Sequence, residues 1–166
     1  MNFPTKYSEI LERIKEIDPI KYGQTRNHLN GAVTYLSPYI SRGVISSKVV
    51  LDAVLAKGYP IEEIESLVKE LSWRDYFQRL GQVRNLDTEI KFPQSEVERL
   101  EIPLAVVNAE SGIHAIDQAI EDFYANGYMH NHMRMYTAAL VTNIGKSHWL
   151  LPSKWMYFHL LDGDWA

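Results

Sequence analysis

The stretch IEEIESLVKELSWRDYFQRL, residues 61–80, opens the longest helical pattern in the chain, which runs to about residue 83. Its apolar positions do not form a single stripe. Ile64, Leu67, Val68 and Leu71 share one face, as helical spacing requires, but continuing that face gives Asp75 and Gln78. Glu70, Trp73 and Phe77 lie on a nearly opposite face, with Arg74 beside them. Two readings stand. Either the helix is buried on two sides, or its second face is the wall of a ligand site that presents a carboxylate, an indole and a guanidinium.

The rest of the chain keeps the same period. A first amphipathic helix is expected over residues 8–17, ending before Pro19. Residues 22–46, YGQTRNHLNGAVTYLSPYISRGVIS, are rich in Gly, Asn, Ser and Thr. They read as a structured loop with a short helix after Ser37-Pro38, where proline suits a first turn. Ser46 or Ser47 can cap a helix to about Lys57, with Gly58 as its stop. Residues 86–107 hold Pro93 and Pro103 and read as an irregular connection. Ser111 can cap a helix with apolar positions Ile113, Ile116, Ile120 and Phe123, stopped by Asn126-Gly127. Another helix is expected from near Tyr128 to about Ile144, and a last one from after Pro152 to near Asp162. Strand signals are weak and no repeat is present, so the expected fold class is all-α.

Composition narrows the function. Hydrophobic residues make up 46% and charged residues 23% of the 166, which is enough for a real core. No apolar run approaches the ~20 residues of a membrane helix, and MNFPTKYSEI carries no signal-peptide pattern. The absence of cysteine excludes disulfides and thiolate metal sites and fits a reducing cytoplasm. A net charge of −4 argues against a broadly basic nucleic-acid binder and leaves room only for a local patch. Ten Tyr and four Trp supply stacking surfaces as well as core.

The segment NGYMHNHMRMY, residues 126–136, concentrates the chemistry. On a helix over 129–142, Asn131, Met135 and Ala138 share one side and His130 and Arg134 the neighbouring one. A permanently charged fork, an amide that both donates and accepts and polarizable thioethers suit a planar, polar, partly anionic ligand. An interhelical hydrogen-bond network without ligand suits them equally well. His130 and His132, at i and i+2, should point apart, so no metal role is expected. Asp162-Gly163-Asp164 reads as a tight turn presenting two carboxylates in one direction.

Several stretches together resemble the FAD-binding helical domain of the photolyase/cryptochrome family: ELSWRDYFQRL (70–80), SGIHAIDQAI (111–120), NGYMHNHMRM (126–135) and LLDGDWA (160–166), with LSPYISRGVIS (36–46) resembling the family's LSPYL-x-x-G-x-[LI]-S segment. The resemblance covers about residues 22–166 and implies one helical FAD-binding domain over 1–166, incomplete at its C-terminus and without the family's antenna domain. It implies FAD as cofactor, bound in a bent form. Ser37 and Thr34 would then hold the pyrophosphate and Tyr22 would touch the cofactor. Arg74 would approach the flavin or phosphate side, and Asn131 the region near adenine and flavin. Arg134 would pair with Asp162 beside the isoalloxazine, and Asp164 would accept a hydrogen bond from the flavin edge.

The same resemblance places Glu70 and Trp73 against a flipped pyrimidine dimer, with Tyr128 and Met135 packing on it. It places Trp149, 13 residues before Asp162, in the middle of a tryptophan electron relay, where the alternative is an ordinary buried Trp. The implied reaction is light-driven electron transfer from reduced FAD to a dimer in UV-damaged DNA, a carbon–carbon lyase activity, with no metal and no membrane involved. The chain departs from the pattern in three places. VTYLS (33–37) stands for TSRLS, no Trp occupies the distal relay region 90–100, and the asparagine facing flavin N5 and the proximal relay Trp would follow Ala166. A cryptochrome-like FAD-binding photoreceptor or interaction module without repair is the alternative, and a flavin-free helical protein a third reading. Cations available for DNA are Arg42, Lys48, Arg74, His132, Lys146 and Lys154, against acids at 9–18 and 62–70, so a charge-segregated surface is expected.

Overall fold

The computed structural model describes residues 3–88 and 92–165. Residues 89–91, inside the connection read as irregular and at the edge of the distal relay region, and Ala166, the last residue of LLDGDWA, fall outside the described residues. Among the described residues the structure is helical, without strands, as the periodicity requires. A lone parallel bridge joins Arg99 to Ser147. No helix among them is long and apolar enough to cross a membrane. The described residues form two compact units, one within Met1–Arg84 and one within Asn85–Trp165.

The first unit holds α1 (Tyr7–Lys15), α2 (Pro19–Thr25), α3 (Ser37–Ser41), α4 (Ser47–Leu55) and α5 (Ile61–Gly81). Its core gathers Ile10 and Ile14 of α1, Leu36 and Tyr39 around α3, Val50 and Val54 of α4, and Ile64 and Leu67 of α5. Each such side chain taken from water contributes about 1.5–3 kcal/mol. The local signals explain the boundaries. The Ser46 hydroxyl accepts the Val49 N–H at 3.2 Å, and the chain leaves α4 through Gly58 at φ 74°, a left-handed position that favours glycine. Helix α2 corrects the expected loop over 22–46. The Asp18 carboxylate accepts the Lys21 N–H at 2.9 Å and Pro19 fills the first helical position, a start signal that outweighs the Gly- and Thr-containing sequence behind it.

The two faces of α5 also resolve. Ile64 is fully buried, whereas Trp73 is 53% and Phe77 45% exposed. The helix is therefore not buried on two sides. Its N-terminal half anchors the core and its C-terminal half carries a surface cluster in which Trp73 stacks on Phe77 at 5.8 Å, with Tyr76 edge-on to both.

The second unit holds α6 (Leu104–Val107), α7 (His114–Asn126), α8 (Asn131–Ala139), a π-helical turn (Leu140–Ile144) and α9 (Leu150–His159). Val106, Ile116, Ile120, Phe123, Met129, Met133, Val141 and Leu160 form its core. Ser111 does not cap α7 as expected. Instead the Asp117 carboxylate reaches back to the Ser111 hydroxyl at 2.6 Å and to the N–H groups of Ser111 and Gly112 at 2.9 and 3.0 Å. Those hydrogen bonds, the Ser111 hydroxyl first, hold its carboxyl below the ordinary value. At the other end, Gly127 takes φ 65°, as the Asn-Gly stop requires.

Helix α8 begins at Asn131 rather than near Tyr128, because His130 is its N-cap and its Nδ1 accepts the His132 N–H at 3.3 Å. Its far end widens into the π turn, where the Gly145 N–H bonds the Leu140 carbonyl at 2.8 Å and the register of the following residues shifts. Helix α9 starts two residues before Pro152, which lies inside the first turn. There proline's missing N–H has no intrahelical partner to lose.

Candidate functional site

In the second unit the sequence-singled residues meet around Arg134. Its Nε donates to the Met129 carbonyl at 2.7 Å, and its Nη2 lies between both oxygens of Asp162, at 3.0 and 2.9 Å. The guanidinium sits 5.7 Å over the Tyr128 ring, a cation–π arrangement. Asp162 is buried, 6% exposed, and is kept there by the turn that carries it. The Leu161 N–H bonds the Gly127 carbonyl at 2.8 Å. A Cβ on Gly163 would meet the Tyr157 and Leu160 carbonyl oxygens at 2.6 and 3.0 Å, so only glycine lets the turn tuck in. Asp164 follows, half-buried. An arginine fixed from three directions beside a buried carboxylate keeps a positive charge at hand.

Around this centre, Asn131 is exposed at the first position of α8 and Met135 is 59% exposed one turn later. His130 and His132 do not point apart. Because His130 stands outside the helix, its ring centroid lies 5.9 Å from that of His132. Trp149 is half-buried just before α9. Its backbone N–H donates to Gln94 Oε1 at 3.0 Å, and Gln94 Nε2 donates to the Ser147 carbonyl at 2.7 Å. Sequence reasoning missed Gln94, which fixes the backbone on both sides of His148.

The other singled residues belong to the first unit. Ser37 opens α3, half-buried. The Thr34 hydroxyl accepts the Leu36 N–H at 3.4 Å. Tyr35, where the family pattern has Arg, adopts φ 52°. Arg74 donates from Nη1 to the Ser41 hydroxyl at 2.8 Å. Glu70 and Trp73 line a cleft of about 710 Å³ between α2 and α5, together with Arg26, Lys69 and further glutamates. Tyr22 lies on α2, not on a loop, and packs against the first core.

Arg26 is a second residue missed by sequence reasoning. It forms an ion pair with Glu70 and hydrogen-bonds the Tyr22 phenol oxygen. Burial pushes the Tyr22 phenol up, the Arg26 hydrogen bond opposes that, and the Glu70 charge adds to it. Burial alone would lower Arg26, but its bonds to Glu70 and Tyr22 raise it.

Several cations expected on a DNA-facing rim are engaged. Lys48 pairs with Asp52 at 2.5 Å, Lys154 with Asp87 at 3.1 Å, and Lys146 with Glu96. Asp87 also accepts the Trp165 indole N–H at 3.0 Å.

Comparison with known proteins identifies the family and the fold. Residues 67–166 match the family model described as the FAD binding domain of DNA photolyase. A deoxyribodipyrimidine photo-lyase of Thermus thermophilus is 32% identical over 158 residues, covering 88% of this chain and 36% of that protein. A cryptochrome DASH of Solanum lycopersicum is 28% identical over 181 residues, covering 99% of this chain and 31% of that protein. The fold superimposes on a class III photolyase from Agrobacterium tumefaciens with a TM-score of 0.80 at 22% identity, over 98% of this chain and 35% of that one. The Synechocystis sp. PCC6803 cryptochrome gives 0.80 at 21% identity, over 99% and 37%.

The chain belongs to the photolyase/cryptochrome family and carries its FAD-binding domain. It spans about a third of the length of the curated relatives it matches. The cofactor of this domain is FAD. Within the second unit the chemistry of the residues present suits that cofactor: the Arg134 guanidinium, the exposed Asn131 amide and the carboxylates of Asp162 and Asp164 are groups that can meet a phosphate or an imide-bearing ring.

Proposed function

We propose that this chain serves the light-dependent repair of pyrimidine dimers in UV-damaged DNA as a photolyase-type carbon–carbon lyase acting in the cytoplasm. When bound and reduced, FAD would supply a light-driven electron to the dimer and take it back once the ring has split. Arg134, held by Asp162, orients the cofactor and offsets negative charge on it. Asp164 accepts a hydrogen bond from its ring edge. Ser37, Thr34 and Arg74 serve the phosphates, Asn131 the adenine side, and Tyr22 a cofactor contact. On the substrate side Glu70 accepts or donates a hydrogen bond to a base, Trp73 offers a stacking face, and Tyr128 and Met135 pack on the dimer. Trp149 passes electrons toward the cofactor.

The observation that carries this reading is the cleft in which the Glu70 carboxylate and the half-open Trp73 indole stand one helical turn apart. A flipped base requires that pairing of an edge reader with a flat apolar surface. The test is spectroscopic and chemical. Purified protein incubated with FAD should show flavin absorption bands, and under blue light it should restore dimer-containing DNA. A protein without flavin bands after that incubation, or one that holds FAD and leaves the dimer intact, defeats the proposal.

A cryptochrome-like role without repair is favoured by one observation. Glu62, Glu63 and Glu65 line the same cleft as Glu70, and this acid repels phosphate. FAD bands together with unrepaired DNA would select that role.

A further inference from the structure

The acidic turn is held on both sides of Asp164. Before it, Asp162 is bonded to Arg134, and the Gly163 N–H donates to the Leu160 carbonyl at 3.1 Å. After it, the Trp165 indole N–H donates to Asp87 Oδ1 at 3.0 Å. Asp87 is itself fixed twice. Its Oδ2 pairs with the Lys154 ammonium of α9 at 3.1 Å, and its backbone N–H donates to Asn85 Oδ1 at 3.1 Å. Lys154 also lies 5.7 Å over the Trp165 ring, and the Tyr157 ring meets the indole edge-on at 5.3 Å. Anion, cation and indole thus close a triangle in which each touches the other two. None of the three has a part in the function proposed above.

A residue whose neighbours on both sides are fixed has little freedom in φ and ψ, so the two anchors set the direction of the Asp164 side chain. With the Trp165 anchor cut, only the Asp162 side remains and the carboxylate can swing. The Lys154 and Asp87 side chains are 46% and 50% exposed. An ion pair in that setting contributes little to stability, so the triangle is better matched to aiming a neighbour than to holding the fold together.

We infer that Asp87 is a positioning residue for Asp164: with Lys154 it locks the Trp165 indole, and so holds the Asp164 carboxylate where it accepts a hydrogen bond from the flavin edge. The inference rests on the cofactor role given to Asp164 above and adds to it the residues that aim the carboxylate.

The test is a double-mutant cycle read by FAD titration of the full chain in the dark, followed by flavin fluorescence. Asp164→Ala removes the acceptor and should weaken FAD binding about tenfold, the loss of one charge-assisted hydrogen bond. Asp87→Ala should weaken it about fivefold, and Trp165→Phe, which keeps a ring and loses the N–H, by about as much. In the Asp164→Ala background, Asp87→Ala should change the affinity by less than about twofold, because the group it aims is gone. A merely structural part for Asp87 would weaken binding equally in both backgrounds, and that result overturns this inference alone. So does an Asp164→Ala loss accompanied by wild-type affinity in Asp87→Ala and Trp165→Phe. An Asp164→Ala chain with wild-type affinity, or a wild-type chain that takes up no FAD, overturns the cofactor role of Asp164 and this inference with it. If Asp87→Ala does not fold by circular dichroism, Asp87→Asn and Trp165→Phe replace it in the cycle and are judged by the same outcomes.

Discussion

Two of the protein's arginine–carboxylate pairs have opposite settings. Arg134–Asp162 is enclosed, with side-chain exposures of 24% and 5%, whereas Arg26–Glu70 lies open at 31% and 41%. The enclosed pair is bonded to a backbone carbonyl, seated over a tyrosine and clamped by a turn that tolerates only glycine. The open pair is held through Tyr22. Burial makes the first pair a fixed element of the scaffold, because breaking it strands a charge away from water. Solvent lowers the worth of the second and leaves it able to exchange partners with a ligand. The family's fixed chemistry is thus expected at the first pair and its adjustable recognition at the second.

The largest effect expected from this contrast is on stability. Asp162→Asn removes the charge opposite Arg134 and should cost about 3 kcal/mol in urea unfolding. A loss below about 1 kcal/mol would show that the enclosed pair is not enclosed in solution. Next comes Gly163→Ala, whose methyl would press on two carbonyl oxygens and should cost about 2 kcal/mol, with retention of α9 by circular dichroism. Glu70→Gln should change stability by no more than about 1 kcal/mol while weakening binding of a thymine-dimer oligonucleotide. Equal losses in Glu70→Gln and Asp162→Asn would erase the distinction between the two pairs.

The smallest effect is a titration. The Tyr22 phenol is raised above 10.0, by burial foremost, with Arg26 pulling it down and Glu70 pushing it up. A raised folded value means that its contribution is complete below pH 10 and is lost as pH rises through the folded value. Tyrosinate absorbance should therefore show Tyr22 ionising still later in Arg26→Met and earlier in Glu70→Gln. No change in either variant would detach Tyr22 from the open pair.

Much of the fold was legible because it rests on local signals. The Ser46 cap, the Gly58 and Gly127 stops and the apolar repeat of α7 are each set by neighbouring residues. The misses have equally local causes. Helix α2 was hidden behind a Gly- and Thr-containing sequence although Asp18-Pro19 announces it. His130 caps α8 through a ring nitrogen, an uncommon device, so helical spacing alone starts the helix too early and sets the two histidines apart. The π turn continues the same apolar pattern as an α-helix and leaves no separate mark. Within the site, the Arg134–Asp162 pair joins residues 28 apart, and spacing alone could not have joined them; the resemblance did. Arg26 had no such help, since one arginine in a loop-like segment carries no signal until a second helix brings a carboxylate to it.

The hook between Leu161 and Gly127 has a mechanical consequence. One backbone hydrogen bond ties the two, and the Leu161 side chain fills the space beside Gly127, 2.6 Å from where a Cβ would stand. The terminal acidic turn and the elbow after α7 therefore travel as one piece, with Tyr128 riding on the elbow. Any opening of the arginine cradle has to unlatch that hook and expel the leucine, which favours a cradle that is either wholly shut or wholly sprung.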